Sequence, residues 1–341
     1  MTASLKPVLA RLARGEVLGA DDARDAFGVV MDGLATPAQI GSMLMAMRVR
    51  GESVAELTGA VTAMRARMSP VVAPEGAMDV CGTGGDGAAS LNISTAVTFV
   101  LAACGVPVAK HGNRALSSRA GGADVLMALG VNIEPPMERL SAILAEVGCV
   151  FLFAPRHHPA LRHAAQVRVE LGTRTIFNLT GPMANPAGVK HQLMGVYDPA
   201  WLRPVAETLR DLGTESAWVV HGGGMDELTL EGENQVVALQ DGTIGEFTVR
   251  AADAGLTPVP HEAIRGGDAA ENAAALLAML HGVPSGYRDT ILFNAAAALI
   301  VAGVVTGLPE GVARAAAAID SGAALGVLEK LKVASERQDL V

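Results

Sequence analysis

The segment from Lys110 to Val131, KHGNRALSSRAGGADVLMALGV, gathers cations, an amide, two hydroxyls and a glycine pair ahead of an apolar stretch. Lys110, His111, Asn113, Arg114, Ser117, Ser118 and Arg119 make it a loop suited to gripping phosphate oxygens. Lys and Arg bring charge, Asn and Ser bring directed hydrogen bonds, and glycine lets backbone N–H groups come close. A second segment of the same kind lies upstream, DVCGTGGDGAASLNIST at 79–95. Its glycines allow several N–H groups to converge on one anion. Asn92, Ser94 and Thr95 then open a helix, whose unpaired N–H donors and positive dipole end favour negative charge. Asp86 inside that loop would repel a phosphate unless a metal ion stood between them. Each segment alone could be a glycine turn with a helix cap, or a solvated basic turn. Two of them within ~50 residues exceed what turns require, since most connections run to ~4–6 residues. No GK[ST] follows the glycine run at the spacing of a nucleotide-hydrolysing P-loop.

Two further stretches carry chemistry. In PRHHPALRHAAQVRVE at 155–170, the histidines His157, His158 and His163 lack the cysteine partners or i, i+4 spacing of a zinc site. Arg168 does not share a helix face with His158, Arg162 and Glu170, so it points alone toward a cleft, where it would clamp a carboxylate. A surface salt bridge with Glu170 or Glu207 is the alternative. HGGGMDELTL at 221–230 sets Asp226 beside Glu227 just past a glycine triplet. Adjacent carboxylates are costly unless they are solvated or bridged by a hard cation such as Mg2+. An exposed turn is the plain alternative.

These residues need elements to hold them. Residues 1–70 read as short helices: 21–34 has apolar residues at i, i+3, i+4 and i+7, and Thr36-Pro37-Ala38-Gln39 and Ser53-Val54-Ala55-Glu56 read as capping boxes. SPVVAPEG at 69–76 breaks the pattern as a domain junction would. Beyond residue 77, strands expected at 78–81, 106–109, 149–154, 193–197 and 217–221 alternate with helices near 93–104, 123–129, 138–147, 159–171 and 199–212. Such alternation predicts an α/β domain with a mainly parallel sheet. Ala-rich helices follow near 268–281, 288–305 and 309–320.

The chain has 341 residues, half of them hydrophobic, and a net charge of −9. It is long enough for about two domains. The acidity disfavours nucleic acid, which normally needs a broad basic face. No apolar run reaches the ~20 residues of a membrane helix, and charges interrupt the apolar positions of MTASLKPVLARLARGE where a secretory signal would be continuous. Three cysteines without CxxC spacing are a poor disulfide framework, so a reduced cytoplasmic setting is expected.

With these segments in order, the chain resembles the anthranilate phosphoribosyltransferase family of tryptophan biosynthesis. The resemblance rests on GTGGD, NIST, KHGNRALSS, FLFAPRHHPALRHAAQVRVELGTRTIFNLTGPMANPAG at 151–188, and the Asp226-Glu227 pair. It implies an α/β fold of the nucleoside phosphorylase and phosphoribosyltransferase type: a helical domain at 1–72, with part of roughly 172–192 packed on it, and an α/β domain at 73–341. It implies transfer of the phosphoribosyl group of 5-phosphoribosyl-1-pyrophosphate (PRPP) to the amine of anthranilate, with release of pyrophosphate and a need for Mg2+. It implies a homodimer through the helical domain and anthranilate synthase as a partner.

Carried onto this sequence, the resemblance assigns catalysis to Lys110, Asn113 and Arg168, and Mg2+ to Ser94, Asp226 and Glu227. It assigns substrate contacts to Gly82, Thr83, Gly84, Gly85, Asp86, Ser90, Asn92, Ile93, Ser94 and Thr95 in the first loop. Lys110, His111, Gly112, Asn113, Arg114, Ala115, Leu116, Ser117, Ser118 and Gly122 follow in the second, with His158, Arg168, Gly181 and Pro182 along the acceptor channel. The chain departs from the family where Ala120 and Gly122 replace the serines of a Ser-Gly-Ser-Ala-Asp stretch, which removes a hydroxyl commonly given to PRPP. Leu91 stands where a Phe is common. A pyrimidine nucleoside phosphorylase shares the implied architecture, and a nucleic-acid-binding relative without catalysis is a third reading.

Overall fold

The computed structural model describes residues 4–115 and 119–337. Leu116, Ser117 and Ser118 of the expected phosphate loop lie outside the described residues. The chain opens with four helices, α1 (Lys6–Leu12), α2 (Ala20–Met31), α3 (Pro37–Arg50) and α4 (Val54–Arg65). Both expected capping boxes form. Thr36 Oγ1 accepts from Gln39 N at 3.3 Å while Gln39 Oε1 accepts from Thr36 N at 3.0 Å, and Ser53 and Glu56 exchange the same two bonds. An N-cap of this kind is worth about 1 kcal/mol.

Strands and helices then alternate: β1 (Met78–Gly82), α5 (Ile93–Ala103), β2 (Val108–Gly112), α6 (Gly122–Ala128), α7 (Leu140–Val147), β3 (Cys149–Phe153), α8 (Ala154–His157), α9 (Arg162–Leu171), α10 (Phe177–Met183), β4 (His191–Gly195), α11 (Leu202–Asp211) and β5 (Ser216–Gly222). A hairpin follows, β6 (Glu233–Gln240) and β7 (Thr243–Arg250), then α12 (Ala269–Leu280), α13 (Gly286–Val301), α14 (Leu308–Asp320) and α15 (Ala323–Glu336).

One sheet runs in the order β3-β2-β1-β4-β5-β6-β7. The first five strands are parallel, as the alternation predicts, and the last two are antiparallel. The hairpin was not expected. Its signal is Asp241-Gly242, both at positive φ (47° and 80°), the two-residue turn that matches strand twist. The outer strand β7 is largely exposed, so its residues show no apolar run to read. Helix α15 was also not expected.

Alternate side chains of the central strands serve two cores. Leu193, Val220 and Val236 join the core that α5, α13 and α15 cover. Met194, Ala217, Val219, Val237 and Leu239 join the core shared with α2, α3, α4, α10 and α11. A sheet buried on both faces has the near-continuous apolar strands seen here. The chain order reverses between β1 and β4: β2 and β3 lie to one side, β4 and β5 to the other. In open parallel sheets the crevice beyond the strand ends at such a reversal is where ligands bind.

Candidate active site

Gly82 ends β1 and Gly195 ends β4 at that reversal. A Cβ on Gly82 would lie 2.2 Å from Asp226 Oδ2, and one on Gly195 would lie 1.5 Å from the Asp226 carbonyl oxygen. The acidic turn after β5 therefore threads between the two strand ends because neither carries a side chain. Gly84 N donates to Asp226 Oδ2 at 2.6 Å. Asp86 accepts from Ala88 N at 3.1 Å and from Asp226 N at 3.4 Å. Glu227 reaches the N-terminus of α5, where its Oε1 accepts from Ser94 N at 3.2 Å. Lys110, buried in the middle of β2, donates to Val80 O at 2.7 Å and to Ser94 Oγ at 3.1 Å.

Three carboxylates thus converge, Asp226 buried and Asp86 and Glu227 half-buried. Burial pushes the Asp226 carboxyl up, and Asp86 beside it pushes further. Burial, then Asp226, pushes Glu227 up to about 8, against the pull of Lys110 and the Ser94 N–H. Carboxylates that resist ionising together are what a cation relieves. Among the described residues, no three His, Cys, Asp or Glu side chains are placed to hold a metal by themselves. The donor set suits Mg2+, which takes one or two carboxylates and completes its shell with water and phosphate oxygens.

Beyond Asp86 opens a cavity of about 660 Å3, lined by Gly85, Asp86, Asn113, Arg168, Arg174 and Asn178. The Arg168 guanidinium lies 5.3 Å over the Phe177 ring. Neither salt bridge considered from spacing forms: Glu170 accepts from Gln166, and Glu207 pairs with Arg203. Asn113 is exposed, and its Oδ1 accepts from Arg114 N at 2.8 Å. The rings of His111 and His158 meet at a tilt of 58°, with their centroids 5.1 Å apart. His111 Nδ1 faces the Gly181 carbonyl at 3.1 Å, so it carries the ring proton. The Nε2 atoms of both histidines are buried without a hydrogen-bond partner among the described residues. Burial, reinforced by neighbouring histidines, drives His111 down to about 3 and His158 down to about 4, so both rings are neutral at pH 7.

Known proteins share this arrangement. A family model described as "Glycosyl transferase family, a/b domain" matches residues 74–325, and one described as "Glycosyl transferase family, helical bundle domain" matches residues 6–68. Anthranilate phosphoribosyltransferase of Brucella suis biovar 1 is 55% identical over 329 residues, 96% of this chain and 97% of the relative. This chain belongs to the anthranilate phosphoribosyltransferase family. The crystal structure of the Thermus thermophilus family member is similar with a TM-score of 0.93 at 42% identity, covering 99% of this chain and 100% of that one. The Saccharomyces cerevisiae member in complex with PRPP and Mg gives 0.89 at 25% identity, with 98% of each chain covered.

The remaining residues assigned from the family resemblance have the following partners. Thr83 N donates to Gly195 O at 3.0 Å, and its Oγ1 accepts from Tyr197 N at 3.0 Å. Ser90 bridges to Arg265. Ile93 is in the core, which leaves a ligand only its backbone, and Thr95 is buried beside Lys110. Asn92 donates to Ala120 O and accepts from Asn272 Nδ2, so its amide is already oriented. Gly112 ends β2, Arg114 lies 5.9 Å over the Phe153 ring, and Ala115 N donates to Asp124 Oδ2 at 3.0 Å. Gly122 begins α6, and a Cβ there would sit 3.0 Å from Thr95 Oγ1. The Pro182 carbonyl accepts from Gln192 Nε2 at 2.8 Å.

Sequence reasoning missed two neighbours. Arg174 stacks 4.0 Å over the Tyr197 ring and donates to the Gly85 carbonyl. Asn272 holds Asn92, and its own Oδ1 accepts from Gly267 N at 2.7 Å. A lone amide in the apolar run AAENAAALLAML was the available signal for the second.

Proposed function

We propose that this chain transfers the phosphoribosyl group of PRPP to the amine of anthranilate, giving N-(5-phosphoribosyl)anthranilate and pyrophosphate in tryptophan synthesis. The observation that carries this reading is the pairing, across one crevice, of an acidic and cationic end with an arginine-lined cavity. Family membership names the reaction; the geometry gives each end a task.

At the first end, Gly82–Asp86, Asn92–Thr95 and Lys110 hold the phosphates of PRPP. Mg2+, held by Asp226, Glu227 and Ser94, would supply positive charge against the leaving pyrophosphate. At the other end, Arg168 and Asn113 orient anthranilate, with His111, His158, Gly181 and Pro182 along its channel. The amine nitrogen forms its bond to ribose C1 as the bond from C1 to the pyrophosphate oxygen breaks, and the nitrogen then releases a proton. An aromatic amine is neutral at pH 7 and needs no base before it attacks. Catalysis here is alignment plus charge stabilisation of the leaving group.

The division into residues 1–72, with part of 172–192, and residues 73–341 belongs to the same reading. So do a homodimer through the helical domain, an association with anthranilate synthase, and a cytoplasmic setting, with which three buried free cysteines agree. Among the described residues no single helix is long and apolar enough to cross a membrane.

Loss of anthranilate fluorescence tests the proposal. It should require enzyme, PRPP and Mg2+ together. No loss from a folded protein, with ribose 1-phosphate appearing from uridine or thymidine and phosphate, would replace it with the phosphorylase reading.

A further inference from the structure

The acidic pair is followed by two residues, Leu228 and Thr229, that belong to no strand yet are fully buried. A buried backbone must still pair its N–H and C=O groups. Here two side-chain amides do it. Asn294 Oδ1 accepts from Leu228 N at 3.1 Å, and Asn294 Nδ2 donates to Leu228 O at 2.8 Å. Asn234 Oδ1 accepts from Thr229 N at 2.7 Å, and Asn234 Nδ2 donates to Thr229 O at 2.9 Å. Each amide makes the two bonds that a neighbouring strand residue would make.

The two asparagines come from different elements, β6 and the middle of α13, and neither is exposed. Each is itself held in one rotamer. Asn294 Nδ2 also donates to Thr290 O, one turn back in α13, at 2.9 Å. Asn234 Nδ2 also donates to Val249 O on β7 at 3.1 Å. A Cβ on Gly222 would lie 2.0 Å from Asn234 Oδ1, so the end of β5 leaves room for that amide. Only a group with a donor and an acceptor on one short planar arm fits this task. A leucine offers neither, and a carboxylate would face the Leu228 or Thr229 carbonyl with a second acceptor, near Asp226 and Glu227.

We propose that Asn234 and Asn294 are positioning residues for the divalent-cation site: by clamping Thr229 and Leu228 they fix where the carboxylates of Asp226 and Glu227 stand. This rests on the reading that those carboxylates bind Mg2+. Groups that orient metal ligands from behind typically change metal affinity about 10–100-fold when removed. Asn234 and Asn294 bond to Leu228, Thr229, Val249 and Thr290 and not to Arg168.

The test is Mn2+ binding followed by electron paramagnetic resonance, with whole enzyme and PRPP but no anthranilate, so that nothing turns over. Asn294→Ala and Asn234→Ala should each weaken Mn2+ binding by roughly 10-fold or more, while direct titration gives wild-type anthranilate affinity. Glu227→Gln is the control for the underlying reading. If Glu227→Gln leaves Mn2+ affinity unchanged, the metal assignment falls, and the proposal with it. If Glu227→Gln weakens Mn2+ but both asparagine variants bind it like wild type, with only a lower melting temperature, the clamp is structural and the proposal alone is overturned. Asn294→Ser and Asn234→Ser keep a hydroxyl partner and serve where the alanine variants do not fold. A smaller weakening of Mn2+ binding in them supports the clamp, and wild-type affinity overturns it.

Discussion

The two ends of the crevice are finished differently. At the acidic end the protein supplies most of its own partners: Asp226 takes the Gly84 N–H, Glu227 takes the Ser94 N–H, and Lys110 is bonded to Val80 and Ser94. At the end proposed for the acceptor, polar atoms are left open. His111 and His158 each bury an Nε2 with no partner among the described residues, and Arg168 rests on an aromatic ring instead of a carboxylate. A site that must direct a highly charged, metal-bound donor gains from atoms already in place, because little reorganisation remains. A site that takes a small aromatic acid gains from hydrogen-bonding groups that only the ligand completes, since an analogue lacking the matching groups leaves them unpaired.

Damage at the prearranged end should be the most severe. Asp226→Asn combined with Glu227→Gln should lower turnover on the order of 100-fold or more and shift the Mg2+ titration to higher concentration. An unchanged titration would remove both residues from the metal site. Next in size is Arg168→Ala. Losing a charged hydrogen bond should raise the anthranilate KM roughly 10–100-fold and move the PRPP KM far less. Equal changes in both constants would undo the assignment of Arg168 as a carboxylate clamp.

The open end should also show in the acid stability of the ligand-free protein. His158 has its ordinary value of 6.5 lowered to about 4 by burial. Below pH 6.5 the unfolded chain takes a proton that the folded chain refuses, so stability present above that pH is lost as pH falls toward 4. His158→Gln should flatten this slope by up to about 1.4 kcal/mol per pH unit, read from urea midpoints at pH 5 and 7. A parallel pair of curves would show that the ring is not held neutral. The smallest effect is expected from Gly122→Ser. It restores a hydroxyl near PRPP but places a Cβ 3.0 Å from Thr95 Oγ1, so the PRPP KM should fall by less than about fivefold, the worth of one neutral hydrogen bond. A rise would mean that the contact with Thr95 dominates.

Much of this was legible in the sequence because the chemistry sits on local signals. Capping boxes marked α3 and α4, apolar runs marked the five parallel strands, and the glycine and cation loops marked the phosphate end. The β6–β7 hairpin escaped because its outer strand is mostly exposed and polar, although Asp241-Gly242 announced the turn. The supporting shell escaped for another reason. Asn234, Asn272, Asn294 and Arg174 act on residues 5, 180, 66 and 89 positions away. Even the near pair depends on which way a loop folds back. No spacing rule links a lone amide in α13 to the backbone of a turn beyond β5; only the packed fold brings them together.

The threading of Asp226 between Gly82 and Gly195, with Asn294 bonded to Leu228 two residues on, draws on parts of the chain made at very different times. A nascent chain displays its glycine loop first, its cationic loop next and its carboxylates after residue 225, but the last clamp emerges only with residue 294 of 341. The turn at Asp226–Thr229 is thus closed by glycines translated before it and asparagines translated after it, so no local segment holds that geometry alone.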